Sequence, residues 1–195
     1  MPRMGRVLLP LLLLGLAPAR AGTLSVTLHD PRDRAHLPAV YEAWRGAGRD
    51  LRDLGLTLPD TRLESAVSAD DFARRTGEPW FVAAVTRGAV IRTQRLGALA
   101  ARGTLPLTLR HEAFHAAQPP GLPRWLAEGL ARLFSGEARS DPRGTTGLEA
   151  VPEAALSARL AARTERDLRA AETEATRRAR QLVWARGWAR VLAGK

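Results

Sequence analysis

Two histidines four residues apart, a glutamate directly after the first, and a second glutamate thirteen residues beyond the pair constrain this chain more than anything else in it. They are His111, Glu112 and His115 in His-Glu-Ala-Phe-His, and Glu128 in Trp-Leu-Ala-Glu-Gly. On an α-helix, positions i and i+4 stack on one face with Cβ atoms about 5–6 Å apart. Two imidazoles so placed can converge on one ion at about 2.0–2.1 Å. Glu112 lies roughly 100° further round the same helix. It flanks an ion without being forced to ligate it, which suits a general base acting on water. One helix cannot surround a tetrahedral ion, so a third ligand must come from another element.

Glu128 is the candidate. Pro119, Pro120 and Gly121 end the first helix, because proline cannot continue the hydrogen-bond ladder. Pro123 suits the first turn of a second helix, over 123–135, and Gly136 suits its left-handed cap. A helix, a tight turn and a helix let Glu128 face back toward the histidines. Two His and one Glu leave a fourth position open for water, the arrangement of a catalytic rather than a structural Zn2+ site. The bland alternatives are a helix with two core or solvated histidines, and a surface glutamate on an amphipathic helix. Against them, two of only four histidines fall at ligand spacing. Trp125, Leu126, Leu130 and Phe134 also bracket Glu128 with apolar surface, and a carboxylate in that setting needs a partner.

The blocks Thr108-Leu-Arg-His-Glu-Ala-Phe-His115 and Leu122-Pro-Arg-Trp-Leu-Ala-Glu-Gly-Leu-Ala131 resemble the signature segments of gluzincin-type zinc metallopeptidases, in particular the bacterial peptidase MA-like family. The likeness is concentrated in residues 80–136. It implies zinc bound by His111, His115 and Glu128, with Glu112 activating water. It also implies a small sheet ahead of the metal helix whose edge strand pairs with an extended substrate; residues 89–93 are the candidate edge, or else an ordinary buried hairpin strand. Three departures stand out. The single tyrosine, Tyr41, lies far upstream of the motif, and no histidine follows His115, so the usual oxyanion donor is missing. Arg177 or Arg178 could supply that charge, or could simply form a solvated helix face. Where thermolysin-like relatives place an aspartate four residues after the glutamate ligand, this chain has Arg132.

The first 21 residues read as an export signal. Arg3 and Arg6 precede an apolar run from Val7 to Ala17, and Ala19-Arg20-Ala21 forms an A-x-A cleavage site. The run is too short to span a bilayer as a helix, although an uncleaved anchor is the alternative. The expected location is periplasmic or extracellular. The remainder, residues 22–195, suits a single zincin-like peptidase domain with a helical extension over 152–195. With no cysteine, disulfides and thiolate zinc sites are excluded. Without Arg3, Arg6 and Arg20 the 30 basic residues become 27 against 20 acidic, a net charge of +7. No aromatic–basic interleaving or recognised motif points to nucleic acid, whereas attraction to an anionic cell envelope is compatible with the charge.

Hydropathy periods give an α+β fold. Leu24–His29 alternates as a strand, and Leu37–Leu54 carries the apolar stripe Val40, Trp44, Leu51 and Leu54 of a helix. Arg62–Val67 suits a strand, and Ser68 caps a short helix with Phe72 and Ala73. Trp80–Val85 and Ala89–Thr93 flank Thr86-Arg-Gly88 as a hairpin-like pair. Ser140–Gly147 is a turn-rich loop. A long helix is expected from Thr164 to about Leu192, with Trp184 and Trp188 one turn apart and docked on the core, or else exposed as a membrane contact.

Three functions fit. The first is an exported zinc metalloprotease acting on peptide or protein substrates. The second is a catalytically weak or inactive zinc-stabilised envelope protein that binds peptide or anionic polymer. The third, a metal-free basic surface-binding module, requires the His/Glu pattern to be coincidence.

Overall fold

The computed structural model describes residues 22–194; the export signal expected over residues 1–21 lies outside them. Four strands form one sheet: β1 (Leu24–Leu28), β2 (Thr61–Ser65), β3 (Ala84–Arg87) and β4 (Val90–Thr93), in spatial order β1-β2-β4-β3. β2 pairs in parallel with both β1 and β4, while β3 and β4 form an antiparallel hairpin. Each parallel pair requires a crossover. The first is α1 (Leu37–Asp53), and the second runs through α2 (Ala69–Thr76) and β3. The observed architecture is α+β, as the hydropathy periods indicate.

Local chemistry explains the boundaries. Asp30 caps a 3-10 segment, Pro31–His36, through the Arg32 amide, and α1 follows without a break. Ser68 accepts from the Asp71 amide and starts α2, as expected from its hydroxyl. Along β2 the side chains of Thr61, Leu63 and Ser65 are buried in alternation, and Leu63 faces the core beside its β4 partner Ile91. On α1, Val40, Ala43, Trp44, Ala47 and Leu51 recur at helical spacing and join one apolar cluster. That cluster includes Leu109, Ala113 and Phe114 of α4 (Leu105–Ala117).

Two expectations are corrected here. The stretch Trp80–Ala83 is not strand. Its carbonyls at Trp80 and Val82 are taken by the Gln94 side-chain amide instead of a neighbouring strand, so the ladder begins only at Ala84. The candidate substrate edge, residues 89–93, is in turn an interior strand. Parallel pairing with β2 on one side and the hairpin on the other leave β4 no free edge, and β3 stands at the margin.

After α3 (Leu96–Ala101), α4 and α5 (Arg124–Ser135) form a helical hairpin. Gly136 closes α5 at φ 92°, the left-handed cap anticipated. α6 (Glu153–Arg159) leads to α7 (Glu165–Arg186), which lies across α5. The approach is close. A Cβ on Gly129 would fall 2.4 Å from the Ala175 carbonyl oxygen and 2.7 Å from the Ala179 Cβ.

The expected single C-terminal helix is interrupted. Gly187 adopts φ 77°, ψ 156°, a conformation open in practice to glycine alone, and α8 (Trp188–Leu192) starts in a new direction. Trp188 packs edge-on against Phe114, with ring centroids 6.2 Å apart. Trp184 is 91% exposed. The break removes the shared face that one-turn spacing would have given the two rings. Among the described residues, no helix is long and apolar enough to cross a membrane.

Candidate metal centre

α4 and α5 bring the three ligand candidates together. The Nε2 atoms of His111 and His115 are 3.0 Å apart, and each lies 3.5 Å from Glu128 Oε2. A circle through atoms at those separations has a radius of about 1.9 Å, just under a Zn–N or Zn–O bond. These three donors could therefore hold one ion together. Imidazole and carboxylate in this number suit Zn2+, so the residues fit the group the sequence implies. Among the described residues this is the one cluster of His, Cys, Asp or Glu placed to share an ion.

Glu112 is near the cluster but does not join it. Its side chain is only 4% exposed, and its Oε2 accepts a hydrogen bond of 2.7 Å from Thr86 Oγ1 on β3. Burial raises its pKa, against the opposing pull of the two histidines and the Thr86 hydroxyl. Burial alone would push the His111 imidazole down, but the carboxylates of Glu137, Glu128 and Glu112 prevail and hold it well above its usual value. His115 is raised for the same reason, chiefly by Glu128. Glu128, despite burial, is held well below the usual carboxylate range by His115 and His111. A cation bound among these donors would compete with protons for the imidazoles.

The outer contacts are ones that spacing did not reveal. His111 Nδ1 lies 3.1 Å from Glu137 Oε2, and His115 Nδ1 lies 3.1 Å from Gln118 Oε1. Since an ionised carboxylate can only accept, His111 Nδ1 must donate, which would leave Nε2 available to an ion. Arg132, where an aspartate was the familial expectation, is a hub. It donates to Thr176 Oγ1 at 3.0 Å and Glu172 at 3.2 Å, approaches Glu137 at 3.5 Å, and pairs with Asp141. Glu137 thus lies between His111 Nδ1 and Arg132, which approaches it from one turn beyond Glu128. The sequence signal was faint: Glu137 follows the Gly136 helix stop, where the chain turns back over α4.

Arg177 and Arg178 are not at the site. Both bind Glu174, at 2.6 Å each, and Arg178 also caps the carbonyls of Leu148 and Val151 at 2.9 and 2.7 Å. Glu174 is fully buried three and four residues earlier on the same helix, so it engages both guanidinium groups. Neither arginine lines the cleft, and the proposed oxyanion role is withdrawn.

The cluster opens into a cleft of about 1350 Å³, walled by β3, α4, α5 and the N-terminal half of α7. Ala84 to Arg87 line it with the free edge of the sheet, and Trp80, 63% exposed, stands at its margin. No known protein family, curated protein or solved structure matches the chain.

Proposed function

We propose that this chain is an exported zinc metallopeptidase of gluzincin type, with His111, His115 and Glu128 as ligands and Glu112 as general base. The convergence of three donor atoms within 3.5 Å, beside a buried carboxylate that stays out of the set, carries the reading. When bound, zinc lowers the pKa of a water in the site toward about 7 and adds positive charge for a developing oxyanion.

The protein's own groups do the rest. Glu112 takes the proton of the attacking water and passes it to the departing amine nitrogen. Thr86 holds Oε2 of that carboxylate, leaving Oε1 free to receive the proton. Glu137 and Gln118 orient the two imidazoles. β3 supports the choice of an extended peptide as substrate: its unpaired margin borders the cleft and offers backbone donors and acceptors for strand addition.

One observation favours the second reading, a zinc-stabilised protein that binds peptide without cleaving it. Among the described residues, no tyrosine lines the cleft and no histidine does besides the two ligands. The two readings separate on one experiment, turnover of a broad peptide library with metal content measured in parallel. The peptidase reading expects about one zinc per chain, hydrolysis abolished by a chelator, and Glu112→Gln that keeps zinc but loses turnover by at least ~10³-fold. Wild-type protein that holds zinc and cleaves nothing establishes the second reading. Protein that binds no zinc sinks both.

A further inference from the structure

We propose that the C-terminal end of α7 is an anchor for an anionic lipid surface, with Trp184 as its inserting side chain. A tryptophan 91% exposed leaves a large apolar ring in water, and its indole N–H suits the boundary between headgroups and acyl chains. Its neighbours on the helix decide the kind of surface. Arg177, Arg180 and Gln181 stand seven, four and three residues before Trp184, so all four share one stripe. That stripe lies roughly 140° round the helix from Ala179, whose side chain is buried against α5. At the C-terminal end of α7 this outward stripe thus carries guanidinium groups, an amide and an indole and nothing acidic.

Charge segregation along the chain points the same way. From Ala175 to Lys195 there are five arginines and one lysine and no aspartate or glutamate. The last acid before this stretch, Glu174, is fully buried and paired with Arg177 and Arg178, so the positive charge of this surface rests chiefly on Arg180 and Arg190. Arg178 turns inward to the Leu148 and Val151 carbonyls. Arg180, exposed, has one long contact, 3.5 Å to the Ala138 carbonyl, and Arg190 on α8 is also exposed. The Gly187 break ends α7 one turn after Trp184 and turns the apolar residues Val191 and Leu192 back into the core, so the ring is left at a blunt helix end. A basic surface with a projecting indole matches anionic headgroups over an apolar layer. It does not match single-stranded nucleic acid, for which bases would need several aromatic platforms along the basic track; duplex DNA is separated from it by the test below. The inference is independent of the peptidase reading, since the site and this surface share no residue.

The test uses the full chain and its Trp184→Ala, Arg180→Glu and Arg190→Glu variants. They are cosedimented with vesicles of pure phosphatidylcholine or of phosphatidylcholine mixed with phosphatidylglycerol. The N-terminal segment with Arg3, Arg6 and Arg20 contributes alike in every variant, so the difference in anionic-vesicle binding between wild type and each variant reads this surface. Wild type is expected to show an excess on the anionic vesicles, weakening with salt, together with a blue shift of tryptophan emission. Trp184→Ala should lose about tenfold in partitioning and most of the blue shift, and each charge reversal should lose at least about fivefold. Circular dichroism spectra that match wild type show that the variants are folded. The proposal is overturned by equal binding to neutral and anionic vesicles, by unchanged partitioning of Trp184→Ala, or by a chain that binds DNA but not phosphatidylglycerol.

Discussion

At the scale of single residues, the site is organised by carboxylates in different settings. Glu128 is held ionised by the imidazoles, Glu112 is raised by burial, and Glu137 is kept ionised by His111 and Arg132 despite its burial. On the proposed metallopeptidase reading, the contrast suits Glu128 to ligation, Glu112 to proton transfer and Glu137 to orienting His111, although the three side chains are chemically identical. Replacing Glu137 by Gln removes the acceptor charge behind His111 without changing its volume. Zinc affinity should fall about 10–100-fold, read by competition with a chromophoric chelator; unchanged affinity would remove Glu137 from the centre. Thr86→Val removes the hydroxyl that fixes the Glu112 carboxylate. Turnover should fall about tenfold with zinc content unaltered, whereas a loss confined to KM would assign Thr86 to substrate binding instead.

At the scale of elements, the site depends on how closely α5 and α7 approach. Gly129 follows the proposed ligand Glu128, and the backbone of α7 leaves no room for a methyl group there. Gly129→Ala forces the helices apart at a backbone contact. It should cost about 2–3 kcal/mol of stability and weaken zinc binding by displacing Glu128. A chemical denaturation curve with unchanged midpoint would show that the packing yields easily.

The same scale explains what could be read from residues alone. The α4–α5 hairpin was legible, because proline, glycine and ligand spacing are all local and agree. The identity of the edge strand was not. β3 and β4 are equally apolar hairpin arms, and only the long-range parallel pairing of β2 with β4 decides which is interior. Glu137 was hidden because its partner His111 lies 26 residues away across a turn. Trp184 was misplaced because one glycine, tolerable inside a helix by composition, adopts an angle pair that ends it.

For the whole molecule, the absence of cysteine leaves packing, buried ion pairs and any bound metal to hold the fold. Glu174 is the most consequential of the pairs away from the site. It is fully buried on α7, bound by Arg177, Arg178 and Thr146, and its pKa is lowered to about 2; burial opposes the shift and the Arg177 and Arg178 hydrogen bonds produce it. A depressed carboxylate adds stability that is complete above its unfolded value of 4.5 and is lost as pH falls from there toward 2. Glu174→Gln should therefore lower stability at neutral pH by about 2 kcal/mol. It should also flatten the acid limb of a plot of melting temperature against pH. A variant whose acid limb parallels wild type would show that other carboxylates govern acid unfolding.

The three ligands belong to one helical hairpin, residues 105–135, whereas the first parallel strand pair must join Leu24 to Thr61. Short loops close far faster than long ones, and contacts near in sequence form ahead of distant ones. The hairpin that carries these three residues is thus expected to form ahead of the sheet. On the metallopeptidase reading, a cation supplied at the first moment of refolding would meet these residues before the β-strands have found each other, and would act as a nucleating clasp rather than a late passenger.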